Sequence, residues 1–423
     1  MHRIIPDRAE DHEINLPSSK SITHRLFILA ALNHGQTRIQ NPLLSDDTLL
    51  TRKALETMGA VFEEAEGGLL VSKAIGQVKG DEIYLGNSGS SARFLIPLGT
   101  FLDKPVRFYG TERLHRRPFT ELLSAIQTFG HKVEATQNSL PVWSFPGHSS
   151  GGSISFPILP SSQIVTALMM AALRMQKNLT IRLPKGMPSL PYIRMTANLM
   201  KRLRLNVTYS ANLIRVECGE PRMDWMLPVE KDFSAASYWV VYALINGVNI
   251  TLKNMNVPSL QGDEEILRVA ELTGADVMLY KDRIEITGRI SKSLDLNCED
   301  TPDLVPALSV LALFCKAPSR LRKVKLLEYK ESNRIEAIRE NIDTLGGRSA
   351  YKDGQLTIYP QKKYHGGVVK AFNDHRIAMS FAVAGTRIPD VVIDEPECVE
   401  KSYPDFWQDF KYWKKTGKTK KRK

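Results

Sequence analysis

The chain of 423 residues carries 57 Lys and Arg against 46 Asp and Glu, a formal charge of +11, and is long enough to bury two sizeable cores, which predicts two domains. Seven of the cations fall in the last ten residues, KKTGKTKKRK, so the body carries about +4 and the basic balance reads as a solvated tail rather than a nucleic-acid surface. Cys218, Cys298, Cys315 and Cys398 stand far apart, no Cys/His cluster or H-E-x-x-H motif suggests a metal, and no apolar run reaches a membrane span or a signal region, so the expectation is a reduced, cytoplasmic protein without metal or membrane.

The first element is INLPSSKSITHRLFILAAL, Ile14 to Leu32. Pro17, Ser18 and Ser19 are breaker and cap residues ahead of an apolar run, which predicts a capped helix from about Ser19. Its first turn, with Lys20, Ser21 and Arg25, offers backbone N–H groups and cations to an anion. Five further stretches repeat this pattern of polar punctuation and apolar helix: SGSSARFLIPLGTFL, SSQIVTALMMAAL, DFSAASYWVVYALI, TPDLVPALSVLALF and NDHRIAMSFAVAG. With Lys20, Ser90, Ser161, Ser234, Asp303 and His375 as markers, the spacings are 70, 71, 73, 69 and 72 residues.

About 40 residues after each of the first five markers a second register recurs, a helix end followed by strand, turn and strand, as in ETMGAVFEEAEGGLLVS and ELTGADVMLYKDRIEITG. Glycine ends four of these five helices, in the manner of a C-cap. The chain therefore reads as six repeats of about 70 residues, each βαβαββ, three per α/β domain. A purely structural helix start needs only a cap, yet the six starts carry unlike and chemically rich groups: Lys20 and Arg25, Gly89 and Arg93, Ser161 to Gln163, Asp232, Asp303, and Asp374 to Arg376. Helices pointing their N-termini the same way would bring these groups to a cleft facing anionic ligands. The GKT at Gly417 to Thr419 is not a phosphate-binding loop, because Tyr412 stands where the first glycine belongs.

The ordered set LPSSKSITHR, LGNSGSSAR, RRPFTELL, SSQIVTALMMAA, LPYIRMTANLM, DFSAASY, SLQGDEEI, TPDLVPAL, KESNRIEAI, NDHRIAMS and EKSYPDF resembles the 3-phosphoshikimate 1-carboxyvinyltransferase family from Asn15 to Asp405. The resemblance implies two inverse α/β domains joined by a two-strand hinge, here residues 18–228 inserted between 1–17 and 229–423. It implies enolpyruvyl transfer from phosphoenolpyruvate to shikimate 3-phosphate in a monomer, without metal, organic cofactor or nucleic acid. For shikimate 3-phosphate it implies Lys20, Ser21, Arg25, Ser161, Ser162, Gln163, Ser189, Tyr192, Asp303 and Lys330. For phosphoenolpyruvate it implies Lys20, Gly89, Arg117, Gln163, Arg334, Arg376 and Lys401, with Arg93 and Arg194 as further cations. Because the two sets draw on both domains, the donor would be gripped by closure of the cleft.

Adding a hydroxyl across an enol ether needs a base at the hydroxyl and an acid at the methylene carbon, with the reverse traffic on loss of phosphate. The family match gives Asp303, Glu331 and Lys20 as the proton-transfer groups, in an order left open, and His375 as a positioning or shuttling group. It also implies that glyphosate competes with the donor beside Gly89. Four positions depart from the usual pattern: Ser18 for glycine, Phe94 after Arg93, Leu326, and Asn333 where an aspartate is usual. The related UDP-N-acetylglucosamine enolpyruvyltransferases carry a cysteine in the stretch that reads GTERLHRRPFTELL here, which has none. The RNA 3′-terminal phosphate cyclases share a repeat of this kind but call for a nucleotidyl-accepting histidine, and no such site stands out.

Overall fold

The computed structural model describes residues 1–6 and 10–415; the basic run 416–423, read above as a tail, lies outside the described residues. Lys414 and Lys415, by contrast, belong to a strand, Trp413–Lys415, paired with His2–Ile4. The chain divides into two compact units, Ser18–Glu230 and Met1–Pro17 together with the chain from Lys231 onward. Residues 229 and 230 stay with the first of these because Val229 N–H donates to Gln40 O at 3.0 Å and Ser19 N–H donates to Glu230 O at 2.8 Å.

Each unit contains three four-stranded sheets of one design. In Glu82–Tyr84, Val106–Tyr109, Ser139–Ser144 and Val133–Thr136, for example, the first two strands are parallel and the hairpin adds two antiparallel strands. A helix follows each of the first two strands, which gives the βαβαββ order. Three of the six sheets borrow strands from elsewhere in the chain. The leading strand beside Thr37–Gln40 is Trp225–Pro228, and the one beside Ile250–Lys253 is His12–Ile14. In the last sheet the hairpin is replaced by the two ends of the described chain, His2–Ile4 lying between Val391–Ile393 and Trp413–Lys415.

The repeated apolar helices are Lys20–Leu32, Gly89–Leu95, Ser162–Ala171, Phe233–Asn246, Val305–Leu313 and His375–Gly385. They are apolar on almost every face and are accordingly buried, every residue of His375–Gly385 and all but Ser21 of Lys20–Leu32. The second helix of a repeat ends on a left-handed residue, Gly274 at φ 108° being one case. At the end of the third repeat's second helix no glycine is present and Arg204 takes that conformation at φ 59°. Ser19 precedes the first helix but its side chain makes no cap hydrogen bond, and its hydroxyl is buried without a partner among the described residues. Among the described residues no helix is long and apolar enough to cross a membrane.

The terminal strand ties down the sixth sheet: Ile4 is 1% exposed, and a Cβ on Gly385 would stand 2.7 Å from its Cβ. Ile4→Ala should cost about 2–4 kcal/mol through lost burial and a cavity. Denaturant unfolding that shows a loss under about 1 kcal/mol would mean that this strand contributes little.

Candidate active site

In the unit 18–230 the starts of the apolar helices are laced together by buried polar side chains. Arg25 crosses from the first helix to donate from Nε to Thr196 Oγ1 at 2.8 Å and from NH2 to Tyr192 O at 3.3 Å, and it folds back on Ser21 O at 2.8 Å. Its guanidinium lies 5.3 Å from the Phe94 ring centroid. These partners are neutral, and burial lowers the Arg25 pKa to about 10. Phe94, the departure noted above, is therefore a core residue and the surface on which Arg25 rests.

Arg93 reaches Gln163 Oε1 at 3.0 Å and Pro118 O at 3.1 Å over the Phe119 ring, and Gln163 Nε2 donates to Ser90 Oγ at 2.9 Å. Arg117 NH2 meets Asn87 Oδ1 at 3.4 Å, while its Nε is buried with no partner among the described residues. Gly89 makes room for this arrangement, since a Cβ there would stand 2.3 Å from Arg117 NH1 and 3.0 Å from Arg93 NH1. Lys20 Nζ lies 3.3 Å from Asp47 Oδ2, both groups being buried. The chain of His24 Nδ1, Thr51 Oγ1, Ser91 Oγ and Ser88 Oγ, at 2.8, 2.7 and 2.7 Å, fixes the helix carrying Asp47 against its neighbours.

The other unit gathers charges of both signs. Arg334, 1% exposed in its side chain, donates to Asp374 Oδ2 at 2.8 Å, Glu331 Oε2 at 2.8 Å and Asp303 Oδ1 at 2.9 Å. Asp303 also meets Arg376 NH2 at 2.9 Å and Lys330 Nζ at 3.3 Å. Burial alone would raise the Asp303 carboxyl, but Arg376, Lys330 and Arg334 outweigh it and hold Asp303 well below the ordinary carboxylate range. Asp374 is fully buried, caps the helix His375–Gly385 through Arg376 N–H at 3.0 Å, and accepts from Ser332 Oγ at 3.0 Å. Asn333 caps the helix Arg334–Thr344 by accepting from Glu336 N–H at 3.4 Å, a task that does not require the charge of an aspartate.

The structure thus joins Arg25, Gly89, Arg93, Arg117, Gln163 and Tyr192 in one unit, and Asp303, Lys330, Glu331, Arg334 and Arg376 in the other. Ser161 accepts from Gln163 N–H at 3.2 Å, Ser162 and Ser189 are buried near helix starts, and Lys401 is 8% exposed in the turn Pro396–Lys401. Among the expected residues, Arg194 stands apart from these clusters. Arg194 is exposed on its helix and makes none of these contacts. His375 is 0% exposed with Nδ1 3.9 Å from Asp374 Oδ1, beside the carboxylate that holds Arg334, a place that suits the expected positioning role better than shuttling. Sequence reasoning gave no role to Asp47, Ser234 or Asp263 and missed the burial of Asp374. Ser234, Asp263 and Asp374 sit in quoted motifs, whereas Asp47 carried no signal of its own.

Comparison with known proteins supplies a family. The model for EPSP synthase (3-phosphoshikimate 1-carboxyvinyltransferase) matches residues 7–410. A 3-phosphoshikimate 1-carboxyvinyltransferase of Methanospirillum hungatei is 33% identical over 93% of this chain and 94% of its own, and one of Syntrophobacter fumaroxidans is 34% identical over 94% and 96%. Among solved structures an EPSP synthase from Acinetobacter baumannii superposes with a TM-score of 0.80 at 23% identity, covering 97% of each chain. The enolpyruvyl transferase NikO from Streptomyces tendae superposes at 0.77 with 15% identity over 97% of each chain, so the fold, two inverted α/β domains, extends beyond one named enzyme.

Arg334 depends on its three carboxylates. Asp374→Ala should destabilise the protein by about 3–5 kcal/mol, because it strands part of a buried positive charge. Urea unfolding would show this as a fall in midpoint, and an unchanged midpoint would mean that Asp303 and Glu331 suffice.

Proposed function

The chain belongs to the EPSP synthase (3-phosphoshikimate 1-carboxyvinyltransferase) family, and on that premise we propose that it transfers the enolpyruvyl group of phosphoenolpyruvate to the 5-hydroxyl of shikimate 3-phosphate, releasing phosphate. The reaction serves chorismate and aromatic amino acid synthesis. The observation that carries the reading is the family match across residues 7–410, since a fold shared with NikO at 15% identity does not choose an acceptor. Phosphate release from phosphoenolpyruvate should require shikimate 3-phosphate. Release with UDP-N-acetylglucosamine in its place would overturn the assignment of acceptor.

The chemistry asks for a proton taken from the 5-hydroxyl as its oxygen bonds C2 of the donor, and a proton given to C3. The C–O bond to phosphate then breaks and a methyl proton leaves. We assign Asp303 to the hydroxyl, Glu331 to the carbon and Lys20 as a further proton carrier. In the unit 18–230 we assign Lys20, Ser21, Arg25, Ser161, Ser162, Gln163, Ser189 and Tyr192 to shikimate 3-phosphate, and Lys20, Gly89, Arg117 and Gln163 to the donor. In the other unit Arg334, Arg376 and Lys401 go to the donor, and Asp303 and Lys330 to shikimate 3-phosphate. Support comes from the three cations on Asp303. While they hold it, Asp303 is a poor base, and anionic groups that draw Arg376 or Lys330 away raise its basicity as the complex forms.

Two substitutions test the assignments. Asp303→Ala frees Arg376 and Lys330 from this carboxylate, so the donor KM should hold or fall while kcat drops about 10²–10⁴-fold for the lost proton transfer; near-normal kcat at saturation would remove Asp303 from the mechanism. Gly89→Ala places a methyl 2.3 Å from Arg117 NH1 and must displace that guanidinium. The donor KM should therefore rise, by about tenfold for one displaced charge-assisted bond. An unchanged donor KM would show that Arg117 makes no such bond, and glyphosate inhibition measured in parallel would show whether the competitor uses the same guanidinium.

A further inference from the structure

Behind Arg376 stands a carboxyl that the assignments above leave unused. Asp263, in the turn Gly262–Glu264, is 4% exposed. Its Oδ2 accepts the hydroxyl of Ser234, and its Oδ1 is buried with no hydrogen-bond partner among the described residues. Ser234 Oγ in turn accepts from Arg376 NH2 at 3.3 Å, the nitrogen that also donates to Asp303 Oδ2 at 2.9 Å. One guanidinium nitrogen is thus shared between Asp303 and a hydroxyl whose own proton is committed to Asp263. Arg376 NH1 is held on its other side by Tyr238 OH at 3.4 Å.

We propose that Asp263 is the positioning residue for Arg376, holding it through the Ser234 hydroxyl, and that it takes up a proton when an anionic group of the donor arrives at Arg376. The proposal rests on the functional reading above and extends it to a residue with no assigned part.

A buried carboxylate with one empty oxygen is costly when ionised and far less so when protonated. The charges facing Asp263 are Asp303 from the turn Pro302–Leu304, Arg376 from the helix His375–Gly385, and Asp232 ahead of the helix Phe233–Asn246, which also carries Ser234; Glu264 follows on its own turn. Burial and Asp303 raise its pKa, Arg376 and Ser234 lower it, Asp232 raises it, and the balance lies at about 7. Lys330, Arg334 and Arg376 already face Asp303, Glu331 and Asp374, with Asp232 close to Asp263. Ionised, Asp263 adds a further negative charge beside the guanidinium that must receive an anion. Donor binding therefore raises the Asp263 pKa further, and donor affinity falls as pH climbs through the free-protein value.

The test compares wild type with Asp263→Asn, which keeps the shape and an acceptor for Ser234 but cannot ionise. Donor KM and kcat would be measured from pH 6 to 9, with calorimetry of phosphoenolpyruvate binding in two buffers of different ionisation enthalpy to count protons. The phosphate of the donor titrates equally with both proteins, so a difference between them belongs to Asp263. Wild type should take up more protons, and from pH 6.5 to 8.5 its donor KM should rise about three- to tenfold more than that of the variant. Asp263→Glu should restore the slope. Ser234→Ala, which leaves the carboxyl but breaks the link, should raise donor KM at every pH with a smaller change in kcat. Equal slopes and equal proton counts, with or without a lower melting temperature, would overturn the role of Asp263. A wild type that turns over neither substrate would overturn the functional reading itself.

Discussion

Buried positive charge is the constraint on which the site depends. Arg334 is a cation with a side chain 1% exposed, and a group so desolvated is stabilised where carboxylates surround it at hydrogen-bond distance. Asp374, Glu331 and Asp303 do so, and each comes from a different local context: the cap of one helix, the stretch just before another, and a tight turn. Satisfying one guanidinium therefore fixes three backbone segments together. Asp303 is left at the accessible edge of this arrangement, its carboxyl also meeting Arg376 and Lys330. This carboxyl and the cations that restrain it are one structure.

The unit 18–230 solves a different problem by different means. Arg25 rests on hydroxyls, carbonyls and an aromatic face, and Arg93 on a side-chain amide, a carbonyl and another ring. Neutral dipoles and ring quadrupoles hold a guanidinium in position without cancelling its field. Lys20 differs, being tied to Asp47. Under the function proposed above, a ligand bringing two or more negative charges would meet cations left uncancelled in this unit, and in the other cations that must exchange one carboxylate for another. On that reading the first arrangement would favour affinity, and the second would link binding to a change in the basicity of Asp303.

Periodicity made the architecture legible. An apolar helix every 70 or so residues and a strand pair between them imply repeated βαβαββ units, and these patterns are local. What they do not encode is which strand completes which sheet. Trp225–Pro228 and His12–Ile14 lead sheets whose other strands lie far along the chain, and His2–Ile4 fills a hairpin position in the last. Strand pairing is decided by closure of the whole fold, and three-residue segments such as HRI or HEI are too short to carry a pattern. The same division holds for the site. Lys20, Arg334 and Arg376 stand out by motif, but Asp47 reads as an ordinary first-turn acid, and the motif that offers His375 for positioning or shuttling gives no sign of its complete burial.

The repeats also explain how one framework supports unlike chemistry. Each apolar helix begins at an equivalent place, where unpaired N–H groups need acceptors, and the sequence answers differently each time. Ser88, Ser161, Asp232 and Asp374 accept from their own helices, whereas the Ser19 hydroxyl does not. A cap is a structural minimum, and the residues on either side of it are free to vary provided that the helix stays buried. Those flanking positions hold Lys20, Gly89, Gln163, Ser234, Asp303 and Arg376, so the residues that the proposed function draws on occupy the margin that each repeat's folding leaves open. Fold likeness therefore extends to a transferase as distant as NikO, and identity of the ligands must be argued from those few positions.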